Sequence, residues 1–420
     1  MQHSTDNRIA VIGAGIVGLC VAYALRRSGR QVSLYDPNPP GSQCSYGNAG
    51  AISSRSVAPL AMPGITKTAL SMLLDPTSAL HVPVHYWAHA APWLWRFMRE
   101  AEPRRVRRIA AALDRLLAGS LAAHAKLAAE VGCPELVHAN GQLHLYPDER
   151  ALAKDEASWR LKQDFGLRVE RLDGAAIREL EPAVADAYRI GLLLPDEGWI
   201  ANPWRYTQAI MAALQQMGAA CVQAPITALG RHGAGWSLSD GASRWQADQV
   251  IVCAGAWSRA LLAQLGHDVP LESQRGYHLQ VVDPGLTISR TVVLADRKVF
   301  ITPMENGLRI AGTVEFGGLH RPPNVARAML LRGHALAGLR GLRVHEPEIW
   351  MGHRPCLPDS LPVLGPVPDV PGLWCAFGHG HLGLTGSANT ATLLARAMAG
   401  EAVDDELAPF SIARFARARR

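Results

Sequence analysis

A short β-branched run that closes on three spaced glycines constrains the fold more than any other feature of this chain. Ile9-Ala10-Val11-Ile12 is followed by Gly13-Ala14-Gly15-Ile16-Val17-Gly18 and then by an apolar helical pattern. This order predicts a strand, a tight turn and a helix. Gly13 would make the turn, Gly15 would let the backbone approach a pyrophosphate, and Gly18 would let the helix pack closely on the strand. Phosphates would then lie at the positive end of the helix.

A second strand ends in an acidic residue at the spacing typical of dinucleotide-binding folds. Gln31–Tyr35 is followed by Asp36, eighteen residues after Gly18. A carboxylate there can accept both ribose hydroxyls of an adenosine and would repel a 2′-phosphate, which disfavours NADP. The small-residue loop 37–50 offers hydroxyl and amide donors to a ligand longer than NAD, although a surface turn cluster has the same composition. We therefore predict a dinucleotide site.

Composition restricts the class of protein. The 420 residues are 48% hydrophobic and 19% charged, which excludes a disordered chain and predicts two or three domains. The net charge of +6 comes without a concentrated basic block, so it does not argue for nucleic acid. The seven cysteines form no C-x-x-C pair, which argues against a disulfide framework or a structural zinc site. We found no leader pattern and no run of about 18 apolar residues, so we expect a cytoplasmic protein.

Three further segments join the glycine turn in a family resemblance. They are 45–53 (SYGNAGAIS), 352–365 (GHRPCLPDSLPVLG) and 377–386 (FGHGHLGLTG). From Arg8 to about Phe415 the sequence resembles the FAD-dependent D-amino-acid oxidase superfamily, and it is most similar to the bacterial D-amino-acid dehydrogenases of the small-subunit type. The resemblance implies a fold that combines α/β and α+β parts: a Rossmann-like FAD-binding domain with an inserted antiparallel-sheet substrate domain.

The same resemblance predicts a discontinuous arrangement of domains. We assign residues 1–80, 196–268 and 350–405 to the FAD-binding domain, 81–195 and 269–349 to the substrate-binding domain, and 406–420 to a basic C-terminal tail.

The resemblance also implies how FAD is held. Ser42 and Ser45 would donate to the phosphates, the backbone of Ile226 would contact the adenine, and the helix that begins near Gly383 would point its positive end at the flavin N1/C2 edge. Gly352 stands where covalent relatives attach their flavin, so noncovalent FAD is expected. The cofactor-binding candidates are Gly13, Gly15, Ile16, Val17, Gly18, Asp36, Ser42, Ser45, Asn48, Ala49, Gly50, Ile226, Ala254, Gly255, Gly380, His381, Leu382, Gly383, Leu384 and Thr385.

Amino-acid oxidation requires a clamp for the substrate carboxylate, and the planar fork of arginine suits that task. Arg354 matches the family position that holds the carboxylate, and Tyr277 matches one where an aromatic hydroxyl approaches the substrate; these two are the catalytic candidates. Arg309 and Glu315 share a predicted strand, where they either face the pocket or pair with each other. His379 is a further substrate candidate. No metal site is expected, because the histidines of the 379–381 loop lack nearby carboxylates or cysteines.

The activity implied is oxidative deamination of D-amino acids, with hydride transfer from the α-carbon to flavin N5 and electrons passed to a quinone or a protein acceptor. The alternative is a flavin dehydrogenase of another secondary or primary amine such as D-hydroxyproline, sarcosine or glycine, acting as a subunit of a multi-subunit complex. A tRNA-modifying relative and a non-catalytic FAD-binding subunit are two further hypotheses.

Aromatic residues between Trp87 and Phe97 adjoin an arginine run from Arg96 to Arg108. This surface, like the basic tail, would suit the inner face of the cell membrane, an electron acceptor or a partner subunit. A buried aromatic stripe beside a solvated basic face would give the same pattern.

Overall fold

The computed structural model describes residues 8–65 and 80–416. Three stretches of two predicted segments therefore lie outside the described residues: 1–7 and 66–79 of the cofactor-domain segment 1–80, and 417–420 of the basic tail. The strands are β1 Arg8–Ile12, β2 Gln31–Asp36, β3 Ala51–Ile52, β4 Leu80–His81, β5 Val137–His138, β6 Gln142–Tyr146, β7 Glu170–Asp173, β8 Ile190–Leu194, β9 Gly198–Ile200, β10 Ala220–Gln223, β11 Ala228–His232, β12 Gly235–Ser239, β13 Arg244–Ala247, β14 Gln249–Val252, β15 Glu272–Val281, β16 Thr291–Leu294, β17 Val299–Met304, β18 Gly307–Phe316, β19 Glu348–Cys356, β20 Val363–Pro366 and β21 Leu373–Phe377. The helices are α1 Ile16–Arg27, α2 Trp87–Arg99, α3 Pro103–Leu117, α4 Ser120–Glu130, α5 Glu149–Ala153, α6 Glu156–Asp164, α7 Gly174–Leu180, α8 Pro203–Gln216, α9 Ser258–Ala263, α10 Val325–Gly338, α11 Gly383–Met398 and α12 Asp404–Leu407.

The first large sheet joins strands that are far apart in the chain. Its order is β10-β2-β1-β14-β21-β20, and every pair is parallel except β20 with β21. Four of the five residues of β1 are buried, as expected of a central parallel strand covered on both faces. Helices α1, α8 and α11 share one apolar core with this sheet. The predicted Rossmann-like strand–turn–helix is confirmed.

The second large sheet is mainly antiparallel. Its order is β19-β15-β18-β17-β16-β6-β8-β7, with β4 added in parallel beside β18. Helix α10 packs on one face through Leu331 and Ala335, in a core shared with Leu279 and Ile310. All ten residues of β15 are buried, so both faces of this strand are covered. The predicted antiparallel sheet is thus present alongside the parallel one.

Helices α3 and α4 pack away from the second sheet. Ile109, Leu113 and Leu127 belong to the same core as Ile9 of β1. The sequence analysis assigned these helices to the substrate-binding domain, whereas their apolar contacts are with the cofactor side. The division of the chain into two domains remains a prediction.

Helix α2 separates its aromatic residues between core and surface. Trp93 is buried, but Trp95 is 56% exposed, and Trp87 and Met98 are also exposed. The interpretation of this segment as a buried aromatic stripe therefore applies to Trp93 and not to the whole helix. Across residues 8–65 and 80–416, no helix is both long and apolar enough to cross a bilayer.

A buried histidine joins α4 to the start of α11. His124 Nε2 lies 2.8 Å from the carbonyl oxygen of Leu384, and Nδ1 lies 3.0 Å from the hydroxyl of Tyr206. These partners suit a neutral ring that donates from Nε2 and accepts at Nδ1. Burial lowers the pKa of His124 to about 4, so the folded protein resists its protonation.

We expect His124→Gln to flatten the dependence of stability on pH. Between pH 6.5 and pH 4 the unfolded chain protonates His124 and the folded chain does not, so stability falls as pH falls through this window. From pH 7 to pH 5 this residue should account for about 2 kcal/mol of the loss. Urea unfolding of both proteins at the two pH values measures the difference, and an identical pH-dependent loss in the variant would contradict the assignment.

Candidate active site

A cavity of about 1480 Å³ is lined by both large sheets. Ile12, Asp36, Cys253 and Phe377 border it, so it opens at the carboxyl ends of β1, β2, β14 and β21. Open α/β sheets bind their ligands at this edge. The volume exceeds the range usual for one small-molecule ligand, which leaves room for a dinucleotide and a substrate together.

The glycine turn shows three different steric requirements. Gly13 has φ +106°, and a Cβ there would lie 2.4 Å from the carbonyl oxygen of Cys253. A Cβ on Gly18 would lie 1.9 Å from the carbonyl oxygen of Gly13. A Cβ on Gly15 would meet nothing nearer than Ser45 Oγ at 3.6 Å. The fold itself therefore requires Gly13 and Gly18, whereas Gly15 keeps space open beside the cavity.

The side chains of Asp36 and Ser45 line the cavity and accept hydrogen bonds from backbone N–H groups at the glycine turn. Asp36 Oδ2 accepts the N–H of Ala14 at 2.8 Å, and burial raises the pKa of this carboxyl. Ser45 Oγ accepts the N–H of Ile16 at 2.8 Å, which leaves the hydroxyl proton available to a ligand. Ser42 differs, because its buried Oγ has no hydrogen-bond partner among the described residues and does not border the cavity.

Two helices begin at the cavity wall. Among the described residues, the N-cap positions of α1 and α11, Gly15 and Leu382, make no side-chain cap hydrogen bond, whereas Ser45 Oγ accepts the first N–H of α1, that of Ile16. Uncapped N–H groups at a helix start favour negative charge nearby. A dinucleotide carries such charge in its diphosphate, so the open space at Gly15 and the two helix ends fit a cofactor of that kind.

The structure brings together most of the predicted site residues. Those that line the cavity are Gly13, Gly15, Ile16, Val17, Asp36, Ser45, Asn48, Ala49, Ile226, Ala254, Gly255, Tyr277, Arg354, His379, Gly380, His381, Leu382, Gly383, Leu384 and Thr385. Those that do not border it are Gly18, Ser42, Gly50, Arg309 and Glu315.

Arg354 is a partly buried cation in the cavity wall. Its guanidinium lies over Gly276, where a Cβ would be 2.2 Å from Cζ, and Nη1 donates to the carbonyl oxygen of Thr313 at 2.9 Å. Desolvation lowers the pKa of Arg354, and no carboxylate lies within 4.0 Å of it in the described ranges. A guanidinium that borders a cavity and has no carboxylate partner is suited to bind an anionic ligand.

Thr313 supplies that carbonyl from a strained backbone. Its φ is +58°, which is unusual for a β-branched residue, and the pairing of β15 with β18 shifts register opposite it, between Arg275 and Tyr277. Strain of this kind persists where the surrounding structure holds it, often at functional sites.

Tyr277 borders the cavity, but its hydroxyl is bonded to protein groups, and its contact with substrate stays a prediction. Side chains alternate along β15, so Tyr277 projects away from the face that carries Gln274 and Gly276. Its hydroxyl donates to Glu315 Oε2 at 2.5 Å and accepts the N–H of Asn324 at 3.0 Å. The Tyr277 hydroxyl is therefore fully engaged behind the sheet.

Arg309 and Glu315 neither face the cavity nor pair with each other. Glu315 lies 3.4 Å from Arg275 Nη1, in a pair that is almost completely buried. Arg309 Nη1 donates to the carbonyl oxygens of Tyr46 and Asn48, each at 2.8 Å. Arg309 thus anchors the loop whose next residues form the cavity wall, which is a positioning contact rather than a substrate contact.

The two loop histidines have different surroundings. His379 Nε2 lies 3.0 Å from Thr390 Oγ1, and burial lowers the pKa of His379 to about 4, so the ring is neutral at physiological pH. His381 is exposed to the cavity. Among the residues whose placement is described, no group of three or more His, Cys, Asp or Glu side chains could hold a metal ion.

No sequence pattern predicted the residues that surround Arg354 in the cavity wall. Gln274, Phe316 and Trp350 line the cavity from β15, β18 and β19, and Trp93 of α2 packs on Phe316 with ring centroids 5.4 Å apart. Cross-strand pairing is the only signal that places Gln274 and Phe316 beside Arg354, and pairing is not visible in one sequence.

Comparison with known proteins decides the family. A family model described as "DAO: FAD dependent oxidoreductase" matches residues 8–397. The chain belongs to this family. This flavoenzyme is 37% identical over 415 residues to a D-amino-acid oxidase from Bradyrhizobium diazoefficiens, which covers 97% of this chain and 98% of that protein. It is 30% identical over 427 residues to a D-amino acid dehydrogenase from Dechloromonas aromatica, with 96% and 99% covered.

A solved structure agrees with the fold of the flavoenzyme. Glycine oxidase from Geobacillus kaustophilus superposes with a TM-score of 0.73 at 21% identity, covering 98% of this chain and all of that one. The predicted family, the FAD cofactor and the amino-acid oxidoreductase class are confirmed.

We expect Gly15→Ala and Gly18→Ala to separate cofactor binding from folding. Gly15 has φ −71° and free space, so Gly15→Ala should leave the Tm of the apoprotein unchanged but weaken FAD binding about 10- to 100-fold. Gly18→Ala should lower the Tm of the apoprotein, at a cost of about 1–3 kcal/mol, because the new Cβ overlaps Gly13. Thermal unfolding and FAD titration measure both effects. Unchanged FAD affinity in Gly15→Ala would show that the FAD diphosphate does not bind at this turn.

Proposed function

We propose that this enzyme oxidatively deaminates D-amino acids to imino acids, which then hydrolyse to keto acids. The observation that carries the proposal is the partly buried guanidinium of Arg354 in the cavity wall, which has no carboxylate partner among the described residues and suits the carboxylate of an amino acid. The choice of D-amino acids is supported by two relatives, one named a D-amino-acid oxidase and the other a D-amino acid dehydrogenase.

Bound FAD supplies an acceptor for the hydride that leaves the substrate α-carbon. The chain would hold its diphosphate at the turn around Gly15 and the start of α1, with Asp36 at the adenosine ribose. The start of α11 would stabilise negative charge on the flavin. Gly352 borders the cavity and offers no side chain for a covalent bond, which supports noncovalent FAD.

A substrate ammonium group must lose a proton before the hydride leaves, because the nitrogen lone pair assists hydride departure and the product is an iminium ion. If the amine binds in its neutral form, no separate base is needed for hydride departure. The walls beside Arg354 are aromatic and apolar, with Trp93, Phe97 and Phe316 among them, and they would exclude water from the reacting carbon.

Electron transfer to a quinone or a protein acceptor is part of the proposal. Exposed Trp87 and Met98 lie at the cavity border on α2, and Arg99 stacks over exposed Trp95 at 4.8 Å. This apolar and basic rim would suit a hydrophobic acceptor, a partner redox subunit or peripheral contact with the inner face of the membrane.

Anaerobic mixing of the holoenzyme with single amino acids tests the activity. D-Amino acids should bleach the flavin absorbance, and their L-enantiomers should not. Bleaching by sarcosine, glycine or D-hydroxyproline alone would replace the proposal by the alternative amine substrates, and no bleaching by any amine would refute both. Reoxidation of the reduced enzyme by oxygen or by a soluble quinone analogue then identifies the acceptor class.

We expect Arg354→Ala to raise the KM for D-amino acids steeply. The carboxylate would lose its bidentate partner, so kcat/KM should fall by an amount equivalent to about 2–5 kcal/mol. Arg354→Lys should recover only part of the loss, because a point charge does not reproduce the fork. Arg343→Ala, at an exposed ion pair with Asp283, serves as the control and should change neither constant. Near-normal kinetics in Arg354→Ala would show that Arg354 does not bind the substrate carboxylate.

A further inference from the structure

Gln274 occupies a defined place next to the arginine of the candidate site. Strand β15 lies between β18 and β19, and Gln274 pairs with Phe316 on one side and with Arg354 on the other. Directly paired residues project to the same face of a sheet, with Cβ atoms about 5 Å apart. All three residues line the cavity. Gln274 therefore stands between the cation and the aromatic wall.

The carboxamide of Gln274 has no partner to explain its burial. The residue is 5% exposed, yet its side chain makes no hydrogen bond in the part of the chain that the structure describes. Other buried glutamines behave differently: Gln142 donates to two backbone carbonyls, and Gln280 bonds to Arg309 and to Asn306. The carboxamide of Gln274 is not among the fully enclosed polar atoms that lack a partner, so it is accessible from the cavity that it lines, and a ligand in the cavity can be its partner.

The chemistry beside Gln274 points to a carboxylate as that ligand group. Arg354 uses Nη1 on the carbonyl of Thr313, which leaves its other guanidinium N–H groups to a bound anion. A carboxylate has about four acceptor sites, more than one arginine fills. The amide N–H₂ group of Gln274, which pairs with Arg354 across the strands, can donate to one of the remaining acceptor sites of the carboxylate.

We propose that Gln274 is a further substrate-binding residue, whose Nε2–H donates to the carboxylate held by Arg354. This inference rests on the proposed function, because that function places a carboxylate at Arg354. It assigns carboxylate recognition to two adjacent strands, with β19 supplying the charge and β15 supplying a neutral donor.

Gln274→Met keeps the approximate size of the side chain and removes the donor. In the holoenzyme, the affinity for propionate, measured through the change in flavin absorbance, should fall about 10- to 100-fold. The KM for D-alanine should rise by a similar factor while kcat changes little, since the contact exists before and during the reaction. Gln274→Glu should abolish propionate binding, because a second carboxylate repels the first. Retained FAD content and Tm show that the variants are folded.

Gln246→Met is the control, since that carboxamide lies on the surface next to His232 and should have no effect on either ligand. Wild-type affinity for propionate in Gln274→Met would overturn the inference. A raised KM for D-alanine with unchanged propionate binding would also overturn it, because the amide would then contact the amine. If the wild-type flavin binds propionate but no D-amino acid reduces it, the proposed function fails while the effect of Gln274 on the carboxylate can still be measured.

Discussion

The contact between the glycine turn and the end of β14 determines where everything else in the cavity can lie. Gly13 touches the carbonyl of Cys253, and Gly18 touches the carbonyl of Gly13, at separations that admit no side-chain carbon. Asp36, at the end of β2, stabilises the glycine turn because its carboxylate accepts the N–H of Ala14. Three strands are thereby joined at one point, and α1 starts there with its N–H groups directed to the cavity. The affinity for a diphosphate follows from this packing.

The opposite wall depends on a different balance of forces. Arg354 is partly withdrawn from water without a carboxylate partner among the described residues, which is costly, and the carbonyl of Thr313 offsets only part of that cost. The strained backbone of Thr313 adds about 1–3 kcal/mol. Behind the sheet, Glu315 joins Arg275 and Tyr277 in a buried network that holds this region of β18 in place. Residues that resemble site residues in the sequence thus support the site from the hidden face.

Local sequence patterns predicted the glycine turn and Asp36, because the residues that this part of the cofactor site requires are close together in the sequence. A turn with no room for side chains requires glycines at fixed spacing, and Asp36 follows from the end of the adjacent strand. The substrate side could not be predicted in the same way. All of β15 is buried, so no alternation of polar and apolar residues reveals that Tyr277 faces backwards and Gln274 faces the cavity. The register shift after Arg275 and the position of α2 over Phe316 arise from tertiary packing. Arg354 was identified through family resemblance and not through its spacing.

The strand order of the first sheet has a consequence for folding. β1 lies between β2 and β14, and β14 pairs with β21, so the sheet joins β1 to strands that begin about 240 and 365 residues later. The cavity wall at residues 380–385 follows β21. Such distant pairings close slowly, because long loops must be ordered first. A chain that has not yet formed these distant pairings therefore has an incomplete cofactor cavity.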